Sequence, residues 1–284
     1  MSHAISVLIV TWNSAATIEA CLASLPADVE VIVVDNHSSD GTAAQVRQAF
    51  PAVRVLESAT NLGFGAACNW AAREASGSYF LLLNPDAALA PRALEGLLAS
   101  LDRLPGGAAV GPRLLDADGG LELSWGESPT PRTEWRRRAE QLGKRSPSPP
   151  RELSSVDWIS GACILIRTEA WKAIGGFDEG FFLYFEDVDL CRRLTDAGWT
   201  IGYEPEHHVT HLRGHSSDQA SAQVEIWYRM GQLRYYAKHN PWLQRLMLMA
   251  HLFVKYAIRA LRGDPAAGRV LKLALGVPSP FRVP

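Results

Sequence analysis

The sequence contains few cysteines, and their positions exclude two common kinds of site. Its 284 residues include four, Cys21, Cys68, Cys163 and Cys191, which lie far apart without a C-x-x-C pair. This spacing provides neither a structural zinc knuckle nor a thioredoxin motif. Scattered cysteines of this kind are typical of a reducing compartment, so we expect a cytoplasmic protein.

Long apolar runs are also missing. The longest stretch, Leu246 to Leu261, is interrupted by His251, Lys255 and Arg259, whereas a spanning helix requires roughly 20 uninterrupted apolar residues. The first residues lack the basic start of a signal peptide. We therefore expect no spanning helix, and a peripheral position on the inner face of the cytoplasmic membrane is a further hypothesis.

Net charge is small, and this argues against one class of partner. The formal net charge is −2, so we expect no nucleic-acid partner. The charge is unevenly distributed, because the residues from Asn240 onward include seven Arg and Lys but a single acid, Asp264. The basic end of the chain therefore differs in character from the rest.

Short apolar segments alternate with helical patterns in the first part of the chain. Four segments predict strands: Ile5–Trp12, Glu30–Asp35, Val53–Ser58 and Tyr79–Asn84. Three helical patterns separate them: Ser14–Leu25, Asp40–Phe50 and Gly63–Ala75. Repeated β-α-β units of this kind predict an α/β fold with a Rossmann-like, mostly parallel central sheet flanked by helices.

The second part of the chain is more varied. Residues of about 126–155 are rich in Pro, Ser and Arg. Two interpretations of this segment are open: a mobile lid, or a solvated loop that has no functional role. Further elements are predicted after this connection: a strand over Val156–Arg167, a helix over Glu186–Ala197, a strand over Trp199–Glu204, and helices over Ser217–His239 and Trp242–Arg262. The chain therefore ends in predicted helices.

Polar residues follow three of the predicted strands. These are Thr11-Trp12-Asn13, Asp35-Asn36 and Asn84-Pro85-Asp86. Asn and Asp favour turns, which explains any one of these cases. In open α/β sheets, however, ligands bind beyond the carboxyl ends of the strands. Three such ends together favour a ligand site.

Six motifs in this order resemble the family 2 glycosyltransferases, especially the bacterial rhamnosyltransferase-like branch: VTWN, VVDNHSSDGT, NLGFGAACN, LLLNPDA, GGFDEGFFLYFEDVDLCRRL and HLRGHSS. The resemblance covers about Ile5 to Ser217. It implies a GT-A fold, a dTDP- or UDP-sugar donor with rhamnose suggested as the sugar, a divalent metal (Mn²⁺ or Mg²⁺), and inversion at the anomeric carbon. The acceptor would be a hydroxyl of a glycan or of a lipid-linked glycan.

This resemblance divides the chain into two parts. Residues 1–217 would form the GT-A catalytic domain, with a nucleotide-binding half of about 1–115, the mobile connection of about 126–155 and an acceptor half of about 156–217. Residues 218–284 would form a helical C-terminal extension. The Q-x-x-R-W element of processive synthases is missing, so we expect the transfer of a single sugar. The oligomeric state stays open.

The donor pocket is predicted at the ends of the first strands. Asp35 suits hydrogen bonding to the base edge, as the matching Asp does in the resembling family. Thr11 and Asn13 would line the same pocket. Asn61 and Gly63 are candidate contacts with the nucleotide, although small residues equally suit close packing of a helix on the sheet. For Asp40 the favoured interpretation is a helix N-cap.

A metal site is predicted from the LLLNPDA and HLRGHSS motifs. Asp86 matches the last acid of the family's D-x-D motif, while Asn84 replaces the first acid and is retained as a nucleotide contact. A hard cation held by one or two carboxylates neutralises a departing diphosphate. His211 matches the histidine that completes the metal site in related enzymes, and imidazole suits Mn²⁺ better than Mg²⁺. An ordinary structural histidine is the alternative.

The acceptor site is predicted around Glu186-Asp187-x-Asp189. The acceptor hydroxyl must lose a proton as it attacks, which requires a nearby base. By resemblance Asp187 is this base, with Glu186 beside it as an orienting residue or an acceptor ligand. The neighbouring aromatic residues Phe181, Phe182, Tyr184 and Phe185 would raise the pKa of a carboxylate. The alternative is that these acids only stabilise the start of a helix.

Trp158 and Gly161 are further acceptor candidates, because they lie on the strand predicted to floor that site. Aromatic rings offer apolar faces on which sugars stack, although core packing is at least as good an explanation for Trp158. The basic C-terminal helix resembles an interfacial helix attracted to anionic lipid. Two other interpretations of this helix have equal weight: a helix that packs on the fold in the usual way, and a dimer contact.

Two other classes of function are alternatives to the transferase. A nucleotidyltransferase should have a glycine-rich loop with Arg and Lys near the first strand, and VTWNSAA has neither. A non-catalytic nucleotide-sugar-binding module would need Asp35 but not Asp187. The hypothesis we favour is a hexosyltransferase.

Overall fold

The computed structural model describes residues 5–142, 149–212 and 221–276. The strands are β1 (Ile5–Thr11), β2 (Glu30–Asp35), β3 (Arg54–Glu57), β4 (Tyr79–Leu83), β5 (Ala87–Leu89), β6 (Gly107–Leu115), β7 (Leu121–Glu122), β8 (Trp125–Gly126), β9 (Ser154–Ser155), β10 (Trp158–Ile159), β11 (Cys163–Arg167) and β12 (Thr200–His211). The helices are α1 (Ile18–Ala23), α2 (Thr42–Ala49), α3 (Phe64–Glu74), α4 (Ala93–Arg103), α5 (Pro131–Leu142), α6 (Thr168–Ile174), α7 (Glu186–Asp196), α8 (Ser221–His239), α9 (Trp242–Leu261) and α10 (Ala267–Ala274).

A mixed sheet forms the centre of the molecule, with strand order β3-β2-β1-β4-β11-β6-β12-β5. The first four strands are parallel, and every residue of β1 is buried. The strand β11 lies antiparallel to β4 and β6, while β12 runs parallel to β6. The predicted α/β fold with a largely parallel central sheet is confirmed.

Two strands differ from their predicted lengths, and both differences shape the site. The predicted strand over Val156–Arg167 is two strands, because β10 pairs with β8 in a separate small sheet and the chain bends before β11. The strand β12 continues seven residues beyond the predicted end at Glu204, through a register shift, to His211. Because of the first difference, Gly161 lies between two strands rather than within one. Because of the second, His211 reaches the sheet edge where Asp86 lies.

Part of the predicted mobile connection is ordered against the C-terminal helices. Residues 131–142 form α5, and the Glu134 carboxylate accepts hydrogen bonds from Gln232 at 2.9 Å and from the Tyr236 hydroxyl at 2.9 Å. Residues 143–148 lie outside the described residues. A lid function for the connection stays a prediction.

Apolar clusters cover both faces of the sheet, and a third lies outside it. The third cluster joins α8, α9 and α10 to Phe181 and Phe185 of the loop before α7. The helices α8, α9 and α10 are therefore packed against the loop before α7. The predicted boundary at 217/218 lies outside the described residues. Among the helices that the structure describes, none is both long enough and apolar enough to cross a bilayer.

Candidate active site

The carboxyl ends of β1 and β2 bring two predicted donor residues into contact. Thr11 and Asp35 are partners in the strand register, and the Thr11 hydroxyl donates to Oδ1 of Asp35 at 2.8 Å. The backbone N–H of Ser38 donates to Oδ2 at 3.0 Å. Both side chains are buried. Since a carboxylate oxygen has two lone pairs, each oxygen of this fixed carboxylate keeps acceptor capacity for a further N–H group.

Asn13 and Asp40 organise the loops beside this carboxylate. The side-chain oxygen of Asn13 accepts a hydrogen bond from the backbone N–H of Ser39 at 2.8 Å. Asp40 accepts bonds from the backbone N–H groups of Ala15 at 2.9 Å and Thr42 at 3.1 Å. Asp40 therefore connects the first residue of α2 to the loop after β1. The N-cap residue of α2 is Gly41, so the predicted N-cap position of Asp40 is wrong by one residue, because the chain turns through the left-handed Gly41 before the helix begins.

The Asn61-Leu62-Gly63 turn connects the end of β2 to the loop before α7. The Asn61 side-chain oxygen accepts bonds from Nδ2 of Asn36 at 2.8 Å and from the backbone N–H of Gly63 at 2.9 Å. The next backbone N–H, of Phe64, donates to the carbonyl of Phe182 at 2.9 Å. Because a Cβ on Gly63 would lie 2.4 Å from that carbonyl oxygen, only glycine fits this position.

The predicted metal ligands meet at the edge formed by β4, β5 and β12. Nε2 of His211 lies 3.2 Å from Oδ1 of Asp86 and 3.4 Å from Nδ2 of Asn84. The other ring nitrogen lies 3.0 Å from the Glu122 carboxylate. Burial alone would lower the pKa of His211, but the hydrogen bonds and charges of Asp86 and Glu122 raise it above its usual value.

A short bend joins this edge to the predicted base. The backbone N–H of Asn84 donates to the carbonyl of Ala162 at 2.9 Å. The neighbouring backbone N–H, of Gly161, donates to Oδ2 of Asp187 at 2.9 Å. Asn84, at the end of β4 and two residues before Asp86, and the Asp187 side chain at the start of α7 are thus connected through the bend between β10 and β11. The predicted Gly161 contributes its backbone, and a Cβ there would contact Asp187.

Three acids open α7, and the structure gives them different surroundings. Asp189 is fully buried and pairs with Lys238 at 2.7 Å, His239 at 2.7 Å and Arg193 at 2.7 Å. Glu186 is also buried, and within the described part of the chain its Oε2 has no hydrogen-bond partner. Asp187 is partly exposed. Asp187 is therefore the acid of this group that an acceptor can reach.

Burial raises the pKa of both Asp187 and Glu186. For Asp187, the backbone N–H groups of Gly161 and Val188 oppose the effect, but the shift remains upward. For Glu186, the adjacent charge of Asp187 adds to burial, and the pKa lies well above its usual value. A buried pair of acids avoids holding two negative charges. The site therefore holds one reachable acid, Asp187, beside an enclosed acid, Glu186, and the pKa of both carboxyl groups is raised.

The loop before α7 adopts a strained backbone. Tyr184 and Phe185 have φ of 69° and 70°, which non-glycine residues adopt rarely. The helix α8 covers this loop closely, since a Cβ on Gly231 would lie 2.3 Å from the carbonyl oxygen of Tyr184. Phe181 and Phe185 pack into the third apolar cluster. These two rings therefore anchor the C-terminal helices to the start of α7.

Trp158 serves packing, one of the two interpretations that the sequence leaves open. Its side chain is 9% exposed within the apolar cluster on one face of the sheet. Its indole N–H donates to the carbonyl of Glu127 at 3.0 Å, and the Arg137 guanidinium lies over the ring. Little of the ring remains for a sugar to stack on.

A second group of possible metal ligands lies away from this edge, in the middle of β12. Glu204, Glu206 and His207 each offer a ligand atom there. The Glu204 carboxylate accepts bonds from the Ser100 hydroxyl and, at 2.6 Å, from the backbone N–H of Glu206. These bonds stabilise the irregular part of β12 against α4. The strand end, with Asp86 and His211, is the better candidate for a metal connected to the acid pair.

Two residues of the site have no clear signal in the sequence. Glu122 lies on a two-residue strand and contacts His211 only because β7 pairs with β6 beside β12. Asn36 follows Asp35 and is indistinguishable from a turn residue until its bonds to the Asn61 turn are seen. Both depend on contacts between segments distant in sequence.

Comparison with known proteins identifies the class. The Glycosyl transferase family 2 domain matches residues 6–174. The chain belongs to this family and is a glycosyltransferase, as the motifs predict.

Comparison with individual proteins places the chain within the family. It is 31% identical, over 97% of its length and 99% of the relative's, to the N-acetylglucosaminyl-diphospho-decaprenol L-rhamnosyltransferase of Mycobacterium tuberculosis. The protein is thus a rhamnosyltransferase-like member of family 2, and the predicted branch is confirmed.

Solved structures confirm the GT-A fold. A mannosyltransferase from Pyrobaculum calidifontis, in complex with GDP-Man and Mn²⁺, matches with a TM-score of 0.57 and 20% identity, over 97% of this chain and 76% of that one. GalNAc-T7 with UDP, GalNAc and Mn²⁺ matches with a TM-score of 0.57 and 18% identity. This match covers 82% of the present chain, which spans 50% of the GalNAc-T7 chain.

Proposed function

We propose that this protein transfers one rhamnosyl residue from a nucleoside-diphosphate sugar, dTDP- or UDP-linked, to a hydroxyl of a lipid-linked N-acetylglucosamine, with inversion at the anomeric carbon. The observation that carries the catalytic part is the set of contacts around Asp187, a reachable carboxylate of raised pKa connected to the Asp86–His211 edge. The rhamnosyl donor and the diphospho-lipid acceptor rest on the relative from M. tuberculosis. The lipid-linked acceptor implies peripheral contact with the inner face of the cytoplasmic membrane, through the C-terminal helix.

The donor would bind across the carboxyl ends of β1, β2 and β4. Asp35, held by Thr11 and Ser38, has free acceptor capacity for an N–H group of uracil or thymine. Asn13 and the Asn61–Gly63 turn lie on the neighbouring loops and would line the base and ribose. Asn84 would contact the diphosphate from the end of β4. The fixed orientation of these groups is expected to reduce the entropic cost of binding.

The residues at the metal edge fit a divalent cation. Asp86 offers a carboxylate oxygen and His211 an imidazole nitrogen, and their 3.2 Å separation allows both atoms to bind one ion. The Glu122 carboxylate beside Nδ1 favours the tautomer with the proton on that nitrogen, so that Nε2 is free to bind. This mixed oxygen and nitrogen set suits Mn²⁺. A bound cation would stabilise the negative charge of the departing diphosphate.

Asp187 would act as the general base. As the acceptor oxygen forms its bond to the anomeric carbon, the hydroxyl proton moves to the Asp187 carboxylate and the bond from that carbon to the diphosphate oxygen breaks. Its electron pair leaves with the nucleoside diphosphate. Attack from the face opposite the leaving group inverts the centre. The neutral Glu186 would keep a second charge away from the base, and the Gly161 N–H would orient the carboxylate.

The test compares Asp187→Asn with the wild-type enzyme, using a panel of UDP- and dTDP-sugars and an N-acetylglucosaminyl-diphospho-lipid. Loss of a general base typically costs about 10²–10⁴-fold in rate, so kcat should fall by this factor while the donor Kd stays unchanged. Glu186→Gln is the matched control, and it should retain most of the activity because an amide imitates a neutral carboxyl group. Equal activity of Asp187→Asn and wild type would refute the proposed base.

A further inference from the structure

The outward face of α9 is apolar along its whole length. Leu243, Met247, Val254, Ile258 and Leu261 are 53%, 52%, 59%, 48% and 90% exposed. With the small Ala250 at the intermediate position, these residues follow one another at intervals of three or four residues and lie on one side of the helix. We call this surface the α9 stripe. Since a helix rises 1.5 Å per residue, the 20 residues of α9 give the stripe a length of about 30 Å.

The opposite face of α9 accounts for the packing of the helix. Leu248, Leu252 and Tyr256 are at most 5% exposed and belong to the third apolar cluster with α8 and α10. The fold is therefore complete on that side. Contiguous exposed apolar surface of this extent marks an interaction site. Folding of the described chain does not explain the α9 stripe.

Basic side chains outnumber acidic ones around the stripe. The helices α9 and α10 contain five Arg and Lys residues and no acid. Asp264, between the two helices, pairs with Arg259. On one flank of the stripe, His251 lies 3.4 Å from the Arg138 guanidinium of α5. A second acid, Glu225 of α8, also pairs with Arg259, at 3.6 Å. Both of these acids are therefore neutralised by pairing, and the surface around the stripe is basic.

Two exposed tryptophans lie on the same helices. Trp242 begins α9 and is 76% exposed, and Trp135 on α5 is 77% exposed. The helices α5 and α9 contact each other. An indole ring has an apolar body and a polar N–H, and it is enriched where apolar and aqueous phases meet. This composition matches that of a helix lying in a membrane surface.

We propose that the α9 stripe inserts into the surface of a bilayer that carries anionic headgroups. Anionic lipid complements the basic flank, whereas pairing with a second copy would bring two basic surfaces together. The proposal rests on the lipid-linked acceptor of the proposed function. It extends that function, because α8 fixes α9 to the catalytic helix: Lys238 pairs with Asp189 at 2.7 Å. Insertion of α9 would therefore orient the acceptor site relative to the membrane.

The test uses Val254→Asp/Ile258→Asp and vesicles of phosphatidylcholine with or without phosphatidylglycerol. The two substitutions remove apolar surface that insertion would bury and add charges of the same sign as the headgroups, so the double variant should bind anionic vesicles at least roughly tenfold more weakly than the wild type. Ala44→Asp/Gln48→Asp adds the same two charges on the exposed side of α2 and should bind normally. Thermal unfolding of both variants checks that the fold is retained.

Several outcomes would overturn the proposal. They are a wild-type protein that does not bind anionic vesicles, equal binding with and without phosphatidylglycerol, and a double variant that binds as the wild type does. A lipid-free wild-type dimer in light scattering that the double variant converts to monomer, with vesicle binding unchanged, would assign the stripe to self-association. Vesicle binding requires neither the sugar donor nor the acceptor. The membrane proposal can therefore be tested even if the protein shows no rhamnosyl transfer. Transfer to a short-chain, water-soluble acceptor should be equal in wild type and double variant.

Discussion

Replacing Gly63 with alanine should destabilise the protein by more than its backbone conformation alone explains. Gly63 has φ of 83° and ψ of 171°, a region that is essentially restricted to glycine and costs other residues of order 1–3 kcal/mol. The new Cβ would also lie 2.4 Å from the Phe182 carbonyl oxygen and 2.7 Å from its ring carbon Cδ2. Both are closer than real Cβ contacts, so the Phe182 loop must move.

The movement should break one defined interaction. The Phe64 N–H donates to the same carbonyl at 2.9 Å, and a hydrogen bond of this kind contributes about 0.5–1.5 kcal/mol. Together with the backbone cost, we expect the free energy of unfolding to fall by about 2–4 kcal/mol. Equilibrium urea denaturation measures this difference.

A second glycine separates the two contributions. Gly119 has φ of 80°, and no atom lies within 4 Å of the place that a Cβ would occupy there. Gly119→Ala should therefore lose only about 1–2 kcal/mol, the cost of the left-handed backbone. If both variants lose the same stability, contact between the Asn61 turn and the Phe182 loop has no energetic weight. That result would refute the proposed connection between the donor and acceptor halves.

Two further predictions concern the acids of the site. Asp187→Asn should be more stable than the wild type at neutral pH. Folding raises the pKa of Asp187 above its unfolded-state value of about 3.9. The contribution of Asp187 to the free energy of unfolding is therefore fully present below the unfolded-state pKa and is lost as the pH rises through the folded-state pKa. The difference in urea midpoint should shrink towards pH 4, and a constant difference would contradict this origin. Glu122→Ala should weaken Mn²⁺ binding by about 10–100-fold, the usual effect of removing the carboxylate behind a histidine ligand. Calorimetry on the free enzyme measures this affinity, with Glu122→Gln as the milder variant, and an unchanged Kd would show that Glu122 does not orient His211.

The sequence predicted the parallel half of the sheet well because β1, β2 and β4 are largely buried on both faces. Residues 7–10 and 31–34 are continuous apolar runs that lead to the polar strand ends, a pattern that depends little on distant contacts. The polar residues Thr11 and Asp35 at those ends were found for the same reason. In parallel strands, residues at equivalent ends become neighbours whatever the loops between them do.

The acceptor half was harder to predict because its geometry depends on contacts between distant segments. The bend at Gly161 interrupts an apolar run that is typical of one strand, and it exists because β10 pairs with β8 rather than with β4. The extension of β12 to His211 follows a register shift opposite β6. Likewise, the sequence of α9 shows apolar and basic residues but not which face is buried. Strand pairing and helix docking decide all three.

The three acids at the start of α7 belong to one sequence motif, but their surroundings in the fold differ. Of the three, Asp189 alone contacts basic side chains of α8, namely Lys238 and His239. Glu186 is enclosed, and burial together with the adjacent Asp187 raises the pKa of its carboxyl group well above the usual value, whereas the Asp187 side chain is partly exposed. Asp189 is fully buried, and two of its three basic partners lie on α8 while Arg193 lies on α7 itself. Because breaking a buried ion pair is strongly destabilising, these contacts fix the start of α7 to α8. The C-terminal extension is therefore part of what positions the base, and the same extension carries the α9 stripe.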